Sequence, residues 1–164
     1  MTDTHRLTGV VGCGLIGASW AGLFIASGRD VFAWDPMDAV RADFAGRVDT
    51  TMAQIAATGL FPNTLPGTLR IVTSIEAVAE NATLIQENAP ENAPLKRGLY
   101  AAIERAGRDD LIIASSTSNG RKPTEYKSLI ALRRTIRNRS ARSWPRRVIS
   151  VDLPTPGWPM RNAL

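Results

Sequence analysis

Cysteine and histidine each occur only once in this sequence of 164 residues, as Cys13 and His5. A single cysteine excludes an internal disulfide and any zinc site built from several cysteines, so we expect no metal site of that kind. Long apolar runs are also missing. The longest candidate, 15–26, is interrupted by Gly17 and Gly22 and is shorter than the roughly 20 residues that span a bilayer. Since the N-terminus also lacks the pattern of a secretory signal, we expect a cytoplasmic protein with no membrane partner.

Acidic residues are scarce in one part of the chain only. Residues 1–120 contain 9 Lys and Arg against 13 Asp and Glu, whereas residues 121–164 contain 11 against 2. The net charge of +5 therefore comes from the C-terminal part alone. This part contains no recognised nucleic-acid-binding motif, so its charge does not by itself predict a nucleic-acid partner.

Short apolar runs alternate with helical periodicity through the first 126 residues. The apolar runs predict strands at 7–11, 30–34, 69–72, 83–86 and 111–114. Helical spacing predicts helices at 15–27, 39–57, 75–79 and 93–106, with the apolar positions of the first at Ile16, Trp20, Leu23 and Phe24. This alternation and the right-handed crossover rule predict an α/β fold, a doubly wound parallel sheet of the Rossmann type, over residues 1–126. Residues 127–164, called the tail below, are predicted to be irregular and basic rather than a domain.

A glycine-rich hexapeptide follows the first predicted strand directly and opens the first predicted helix. It fits the pattern G-x-G-x-x-G, and its members are Gly12, Cys13, Gly14, Leu15, Ile16 and Gly17. Between a strand and a helix this pattern is typical of dinucleotide binding. The first glycine permits the tight turn, the second lets the pyrophosphate approach the backbone, and the third lets helix and strand pack closely. A sharp turn that binds no ligand is the alternative.

Asp35 follows the second predicted strand, where an acid can accept a hydrogen bond from the ribose 2′-hydroxyl. A carboxylate there repels a 2′-phosphate, so the sequence predicts NAD rather than NADP as cofactor. The alternative is that Asp35 only forms a turn before Pro36. Cys13, inside the glycine loop, is interpreted as a small spacer rather than a redox group.

Three motifs give the chain a resemblance to a known family. They are the segment 10–20 around the glycine loop, the run Gln-Glu-Asn-Ala-Pro-Glu at 86–91, and the run Ala-Ser-Ser-Thr-Ser at 114–118. Over residues 7–126 they resemble the NAD-dependent 3-hydroxyacyl-CoA dehydrogenases, and look most like their carnitine 3-dehydrogenase branch. The resemblance implies oxidation of a 3-hydroxyacyl-CoA or a carnitine-like substrate to the 3-oxo form, with hydride transfer to NAD.

The resemblance also implies roles for three residues. Glu91 and Lys96 match an acid and a lysine that line the nicotinamide side of the cofactor site. Ser118 matches a serine that contacts cofactor and substrate near the reacting hydroxyl, and it is the one catalytic residue expected here. Each has an ordinary explanation as well: Glu91 suits a helix N-terminus, Lys96 suits a solvated helical charge, and Ser118 suits a loop.

The chain departs from the family pattern in its tail. The family's general base is a histidine in a His-Pro-Phe-Asn-Pro segment, and a helical second domain covers the substrate and forms the dimer contact. His5 does not match that segment, and Asp152 follows the run that faintly resembles its approach, with no proton-transfer role assigned to it. We therefore expect the base, the second domain and the dimer contact to be missing.

Three interpretations of the tail stay open. The favoured one is an out-of-frame continuation of a truncated gene. The others are a disordered basic segment that contacts nucleic acid, and a short variant in which 148–151 forms a sixth strand. The chain is then either the cofactor-binding part of a dehydrogenase or an inactive NAD-binding fragment.

Overall fold

The computed structural model describes residues 7–117 and 148–152, with the backbone alone described for Thr117 and 148–152. The described strands form one sheet in the order β3-β2-β1-β4-β5-β6. They are β1 (Leu7–Val11), β2 (Asp30–Trp34), β3 (Leu69–Ile71), β4 (Leu84–Glu87), β5 (Ile112–Thr117) and β6 (Val148–Asp152). The described helices are α1 (Leu15–Ala26), α2 (Asp38–Ala42), α3 (Phe44–Ala57), α4 (Ile75–Asn81) and α5 (Ala93–Ala106).

All neighbouring strands pair in parallel, so their carboxyl ends share one edge of the sheet. The order reverses beside β1, because β2 lies on one side of it and β4 on the other. This arrangement is the strand order of the Rossmann fold, and it confirms the predicted α/β class. Ligands of such sheets bind outside the carboxyl edge at this point of reversal.

Two apolar clusters form the core, one on each face of the sheet. On one face α1 and α3 pack against β1 and β2, around the fully buried Val31 and Phe44. On the other face α4 and α5 pack against β1, β4 and β5, around the fully buried Ile85 and Ile103. Each fully buried side chain of this size contributes about 1.5–3 kcal/mol relative to its exposed state. The sheet therefore has an apolar core on each of its two faces, as the alternation of strands and helices predicts.

The first helix is confirmed, but the large apolar residues predict the wrong buried face. Ile16 is exposed and Trp20 is half-buried, whereas the glycines and alanines of α1 are buried. A Cβ at Gly22 would lie 2.5 Å from Cγ2 of Thr51 on α3. Small side chains therefore allow α1 to approach its neighbours closely, and this closeness outweighs the larger apolar area available on the other face.

Several predicted bounds differ from the structure. The predicted helix 39–57 is divided at Asp43, which ends α2 and precedes α3. β4 is shifted by one residue and ends at Glu87, and β5 continues to Thr117 instead of ending at 114. β5 is longer because it pairs with β6 as far as Thr117, and its two serines hydrogen-bond to Glu87 at the end of β4 and to Asn88 after it.

The last described strand lies in the predicted tail. β6 pairs with β5 in parallel, with Ile149 opposite Ala114 and Asp152 opposite Thr117. Of the three interpretations of the tail, the one with a sixth strand agrees with this pairing. The rest of the tail and the predicted domain boundary at 126 lie outside the described residues, and they stay predictions.

Candidate functional site

A different physical reason explains each of the three glycines in the loop between β1 and α1. Gly12 has a φ of +94°, which favours glycine, and its N–H donates to the carbonyl of Trp34 at 2.9 Å. A Cβ at Gly17 would lie 1.9 Å from the carbonyl oxygen of Gly12, so the turn itself requires glycine. A Cβ at Gly14 would meet no described atom within 4 Å. The fold alone does not explain Gly14, whereas a ligand that approaches the backbone does.

The N-terminus of α1 is open. Gly14 is its N-cap, no described side chain caps it, and the first turn contains no acidic residue. The first N–H groups of a helix lack intrahelical acceptors and form the positive end of its dipole. The neighbouring Leu15 and Ile16 are 78% and 56% exposed, so neither covers this end. The loop residues therefore fit a diphosphate, which such a helix end binds well.

Asp35 follows β2, and its carboxylate connects that strand to the glycine loop. Oδ2 accepts from the N–H of Cys13 at 2.9 Å, and Oδ1 accepts from the N–H of Met37 at 3.0 Å. The second contact forms the turn at Pro36, which is the alternative explanation of Asp35 given by the sequence. Both roles are compatible, because a carboxylate has about four lone-pair positions and a ribose hydroxyl can use another. Arg41 donates to the main-chain carbonyl of Asp35 and to the carboxylate of Asp38.

Cys13 contributes its backbone to the loop, while its thiol is fully buried. Burial is the main cause that raises the pKa of Cys13 to about 12, and the Asp35 carboxylate adds to it against the opposing charges of Arg41 and Arg47. A thiol with this pKa stays protonated at neutral pH and is a poor nucleophile. The backbone carbonyl of Cys13 accepts a hydrogen bond from Nη1 of Arg47 at 3.3 Å. These contacts are consistent with a spacer and not with a redox group.

A buried carboxylate, that of Glu87, lies at the end of β4. Its Oε1 accepts from the N–H of Ala89 at 2.6 Å, and its Oε2 accepts from Ser115 Oγ at 2.6 Å and from the Tyr100 hydroxyl at 2.7 Å. The Nζ of Lys96 lies 3.2 Å from the same Oε2, and both side chains are 0% exposed. A charge this deeply buried is tolerated when it is paired and hydrogen-bonded, as here. We call Glu87, Lys96, Tyr100 and Ser115 the Glu87 cluster.

Lys96 and Glu91, which the family resemblance places on the nicotinamide side, form an ion pair. Nζ of Lys96 lies 3.3 Å from Oε2 of Glu91, whose side chain is 22% exposed. Because Lys96 is completely buried, the explanation of Lys96 as a solvated helical charge is wrong. The lysine lies beneath Glu91, and Glu91 is the partly exposed member of the pair. Contact of either residue with a cofactor stays a prediction.

A second polar network joins β4 and β5. Nε2 of Gln86 donates to Ser116 Oγ at 2.9 Å and to Oδ1 of Asn88 at 3.2 Å, and Ser116 Oγ donates to the same Oδ1 at 3.1 Å. Successive strand residues point to opposite faces, so this network and the Glu87 cluster lie on different faces of the sheet. Ser118, the predicted catalytic serine, follows β5 and lies outside the described residues.

The described site residues fall into two halves on either side of β1. Asp35 follows β2 on one side of β1. On the other side, Glu87 is the last residue of β4, and Glu91 lies in the loop after it. The glycine loop lies between them at the end of β1. A dinucleotide with its pyrophosphate on α1 would cross the point of reversal and place one nucleotide over each half.

Glu87 and Ser115 lie within two of the sequence motifs, but the sequence predicts no role for them or for Tyr100. The predicted strand 83–86 ends one residue before Glu87, so the sequence does not predict that this carboxylate is buried and needs partners. Tyr100 and Ser115 lie 13 and 28 residues from Glu87 along the chain. The parallel register of β4 and β5 identifies Ser115 as one partner of Glu87, and the position of α5 identifies Tyr100 as the other.

The strand order, the glycine loop and the acid after β2 together define a dinucleotide-binding Rossmann domain. Residues 7–128 match the family model described as 3-hydroxyacyl-CoA dehydrogenase, NAD binding domain. The chain belongs to this family. NAD is therefore its cofactor, in agreement with the open helix end at Gly14 and the carboxylate of Asp35.

The chain is similar to two kinds of curated dehydrogenase. It is 40% identical over 116 residues to the L-carnitine dehydrogenase of Burkholderia mallei. This match covers 71% of this chain and 36% of that protein. It is 36% identical over 118 residues to a 3-hydroxyacyl-CoA dehydrogenase of Gibberella moniliformis, with 72% of this chain and 36% of that protein covered. The chain thus spans little more than a third of the length of these relatives.

One solved structure is also similar in sequence. It is a 5-formyl-3-hydroxy-2-methylpyridine 4-carboxylic acid 5-dehydrogenase, described as an NAD+-dependent dismutase, and it matches with a TM-score of 0.64 and 29% identity. The match covers 69% of this chain and 37% of that one.

Proposed function

We propose that this chain is the cofactor-binding part of an oxidoreductase that oxidises a 3-hydroxyacyl-CoA or a carnitine-like compound to its 3-oxo form. The observation that carries the proposal is the carboxyl edge of the sheet, where the open N-terminus of α1 and the Asp35 carboxylate lie beside the polar end of β4. Bound NAD would supply the hydride-accepting chemistry. The residues of the chain bind and orient it, with the diphosphate at Gly14 and a ribose at Asp35.

Ser118 is the proposed substrate contact. By its family resemblance it would orient or polarise the reacting hydroxyl, and its position directly after β5 supports this assignment. A serine hydroxyl by itself is a poor base, and the Lys96 side chain is completely buried, so it does not reach a substrate. Proton removal therefore needs another group.

A second candidate function is an NAD-binding module without turnover of its own. The composition favours it, because the only histidine of the sequence, His5, precedes β1 and lies outside the described residues. We place either version in the cytoplasm and propose no nucleic-acid or membrane partner. None of the described helices is long and apolar enough to cross a membrane.

We expect NADH to bind at least about tenfold more tightly than NADPH, because a 2′-phosphate would face the Asp35 carboxylate; tenfold corresponds to about 1.4 kcal/mol. Replacing Asp35→Asn should reduce this preference, because the repelling charge is lost while Arg41 remains beside the site. The two dissociation constants should be measured at one ionic strength. Equal or tighter NADPH binding by the unaltered protein would contradict the role of Asp35.

We expect turnover by this chain alone to stay near background, because general-base catalysis is typically worth about 10²–10⁴-fold and no histidine follows β1. The test is an NADH-absorbance assay with NAD+ and either carnitine or 3-hydroxybutyryl-CoA, with Ser118→Ala as the control. Background rates support the binding module. Robust turnover that Ser118→Ala abolishes would contradict it, and Asp152 would then be the first base to replace.

A further inference from the structure

The Glu87 carboxylate connects three separate parts of the fold. It lies on β4, Ser115 lies on β5, and Lys96 and Tyr100 lie on α5. All three donors bond to the same oxygen, Oε2, within 3.2 Å. The other oxygen accepts from the N–H of Ala89 at 2.6 Å, so the position of this carboxylate is strongly determined.

The loop 88–92, between β4 and α5, is held at both of its ends by these contacts. At its start, Ala89 donates to Glu87. At its end, the Asn92 side chain caps α5 by accepting from the N–H of Leu95 at 3.0 Å. Between them, Glu91 lies 3.3 Å from the Lys96 ammonium that Glu87 also holds. Glu91 is therefore connected to the buried carboxylate through one shared lysine.

The two halves of the site determine which part of a dinucleotide meets this loop. Since Asp35 after β2 takes the adenosine ribose, the nicotinamide half lies on the other side of β1, over the ends of β4 and β5. Glu87 is 0% exposed and cannot touch a ligand there, whereas Glu91 is partly exposed. An effect of Glu87 on the nicotinamide has to pass through Lys96 and the loop.

We propose that Glu87 is a positioning residue for the nicotinamide half of the cofactor site. It holds the Lys96 ammonium, which holds Glu91 and the loop 88–92 in the conformation that receives the nicotinamide. This inference rests on the proposed function, because it takes NAD as the ligand. It assigns the cluster a function in ligand binding in addition to its contribution to packing.

The test compares NADH with ADP-ribose, which has the same adenosine and diphosphate but lacks the nicotinamide ring. Glu87→Gln keeps the shape of the side chain and removes the charge that holds Lys96. We expect about tenfold weaker NADH binding, which corresponds to about 1.4 kcal/mol, with ADP-ribose binding unchanged within about twofold. Glu91→Gln should show the same pattern. Glu80→Gln, the same chemical change at an exposed residue of α4, should change neither affinity.

The outcomes separate the inference from the proposed function. If the unaltered protein binds neither ligand, the proposed function fails. If it binds both, the positioning role is overturned by any of three results. Glu87→Gln weakens NADH and ADP-ribose binding equally, or it leaves NADH binding unchanged, or it has an effect that Glu91→Gln does not share.

Should Glu87→Gln fail to fold, Tyr100→Phe removes one hydrogen bond to Oε2 and keeps the charge. It should weaken NADH about threefold and leave ADP-ribose unchanged, and equal effects on both ligands would overturn the proposal.

Discussion

Replacing Gly14→Val is expected to weaken NADH binding by about 100-fold or more while the fold stays intact. A branched side chain would occupy the open space in front of the α1 N-terminus and keep the diphosphate from the backbone N–H groups. Loss of two charge-assisted hydrogen bonds, at about 1.5 kcal/mol each, corresponds to a factor of this size. The affinity can be measured by titration of NADH fluorescence.

The folded state should tolerate this change. Gly14 has φ −73° and ψ −167°, an extended conformation open to valine, and its Cβ position is free of described atoms within 4 Å. The weaker N-cap should cost about 1 kcal/mol. Gly17→Ala is the matched control: its methyl group would lie 1.9 Å from a carbonyl oxygen, so it should lower the melting temperature strongly. Normal NADH binding by Gly14→Val would show that the loop is only a turn.

Replacing Lys96→Met is expected to lower the free energy of unfolding by about 3–5 kcal/mol, because it leaves the buried Glu87 carboxylate without its ammonium partner. The Lys96 and Glu87 side chains are both 0% exposed, so water cannot compensate for the lost charge. Urea denaturation followed by circular dichroism measures the change. The hydrogen bonds from Ser115 and Tyr100 to Oε2 of Glu87 remain, but they do not neutralise the charge of the carboxylate.

Two further variants separate charge from packing. Glu91→Gln changes a partner of Lys96 that is partly exposed, and it should cost no more than about 1 kcal/mol. The double variant Lys96→Met with Glu87→Gln removes the unpaired charge and should recover about half of the loss, because the amide oxygen can still accept hydrogen bonds. A double variant less stable than Lys96→Met alone would indicate that shape, and not charge, determines the effect.

Much of the adenosine half of the site follows from local sequence. Gly12, Gly14 and Gly17 are close together in the chain, and the strand before them and helix after them have strong patterns. Asp35 is the first acid after the second strand, so its position at the same edge follows from the parallel sheet. Contacts of this kind depend on short segments and on the handedness of crossovers, and both are evident without coordinates.

The nicotinamide half is different. The sequence indicates Glu91 and Lys96 by resemblance, but it does not show that Lys96 is buried or that Glu87 holds it. The small-residue face of α1 is a similar case, since the large apolar residues predict another side. In both cases the result depends on how closely distant segments approach one another.

The sequence by itself determined the Rossmann class, the glycine loop, the acid after β2 and hence NAD, because each depends on residues near one another in the chain. Only the tertiary structure decided the Glu87 cluster, the buried face of α1 and the pairing of β6 with β5. Whether a charge or a helix face is buried depends on neighbours that are distant in the chain. In the Glu87 cluster, strand pairing brings together residues that are up to 28 positions apart. Local propensity carries no information about those neighbours, and packing at close distance decides between the faces that periodicity allows.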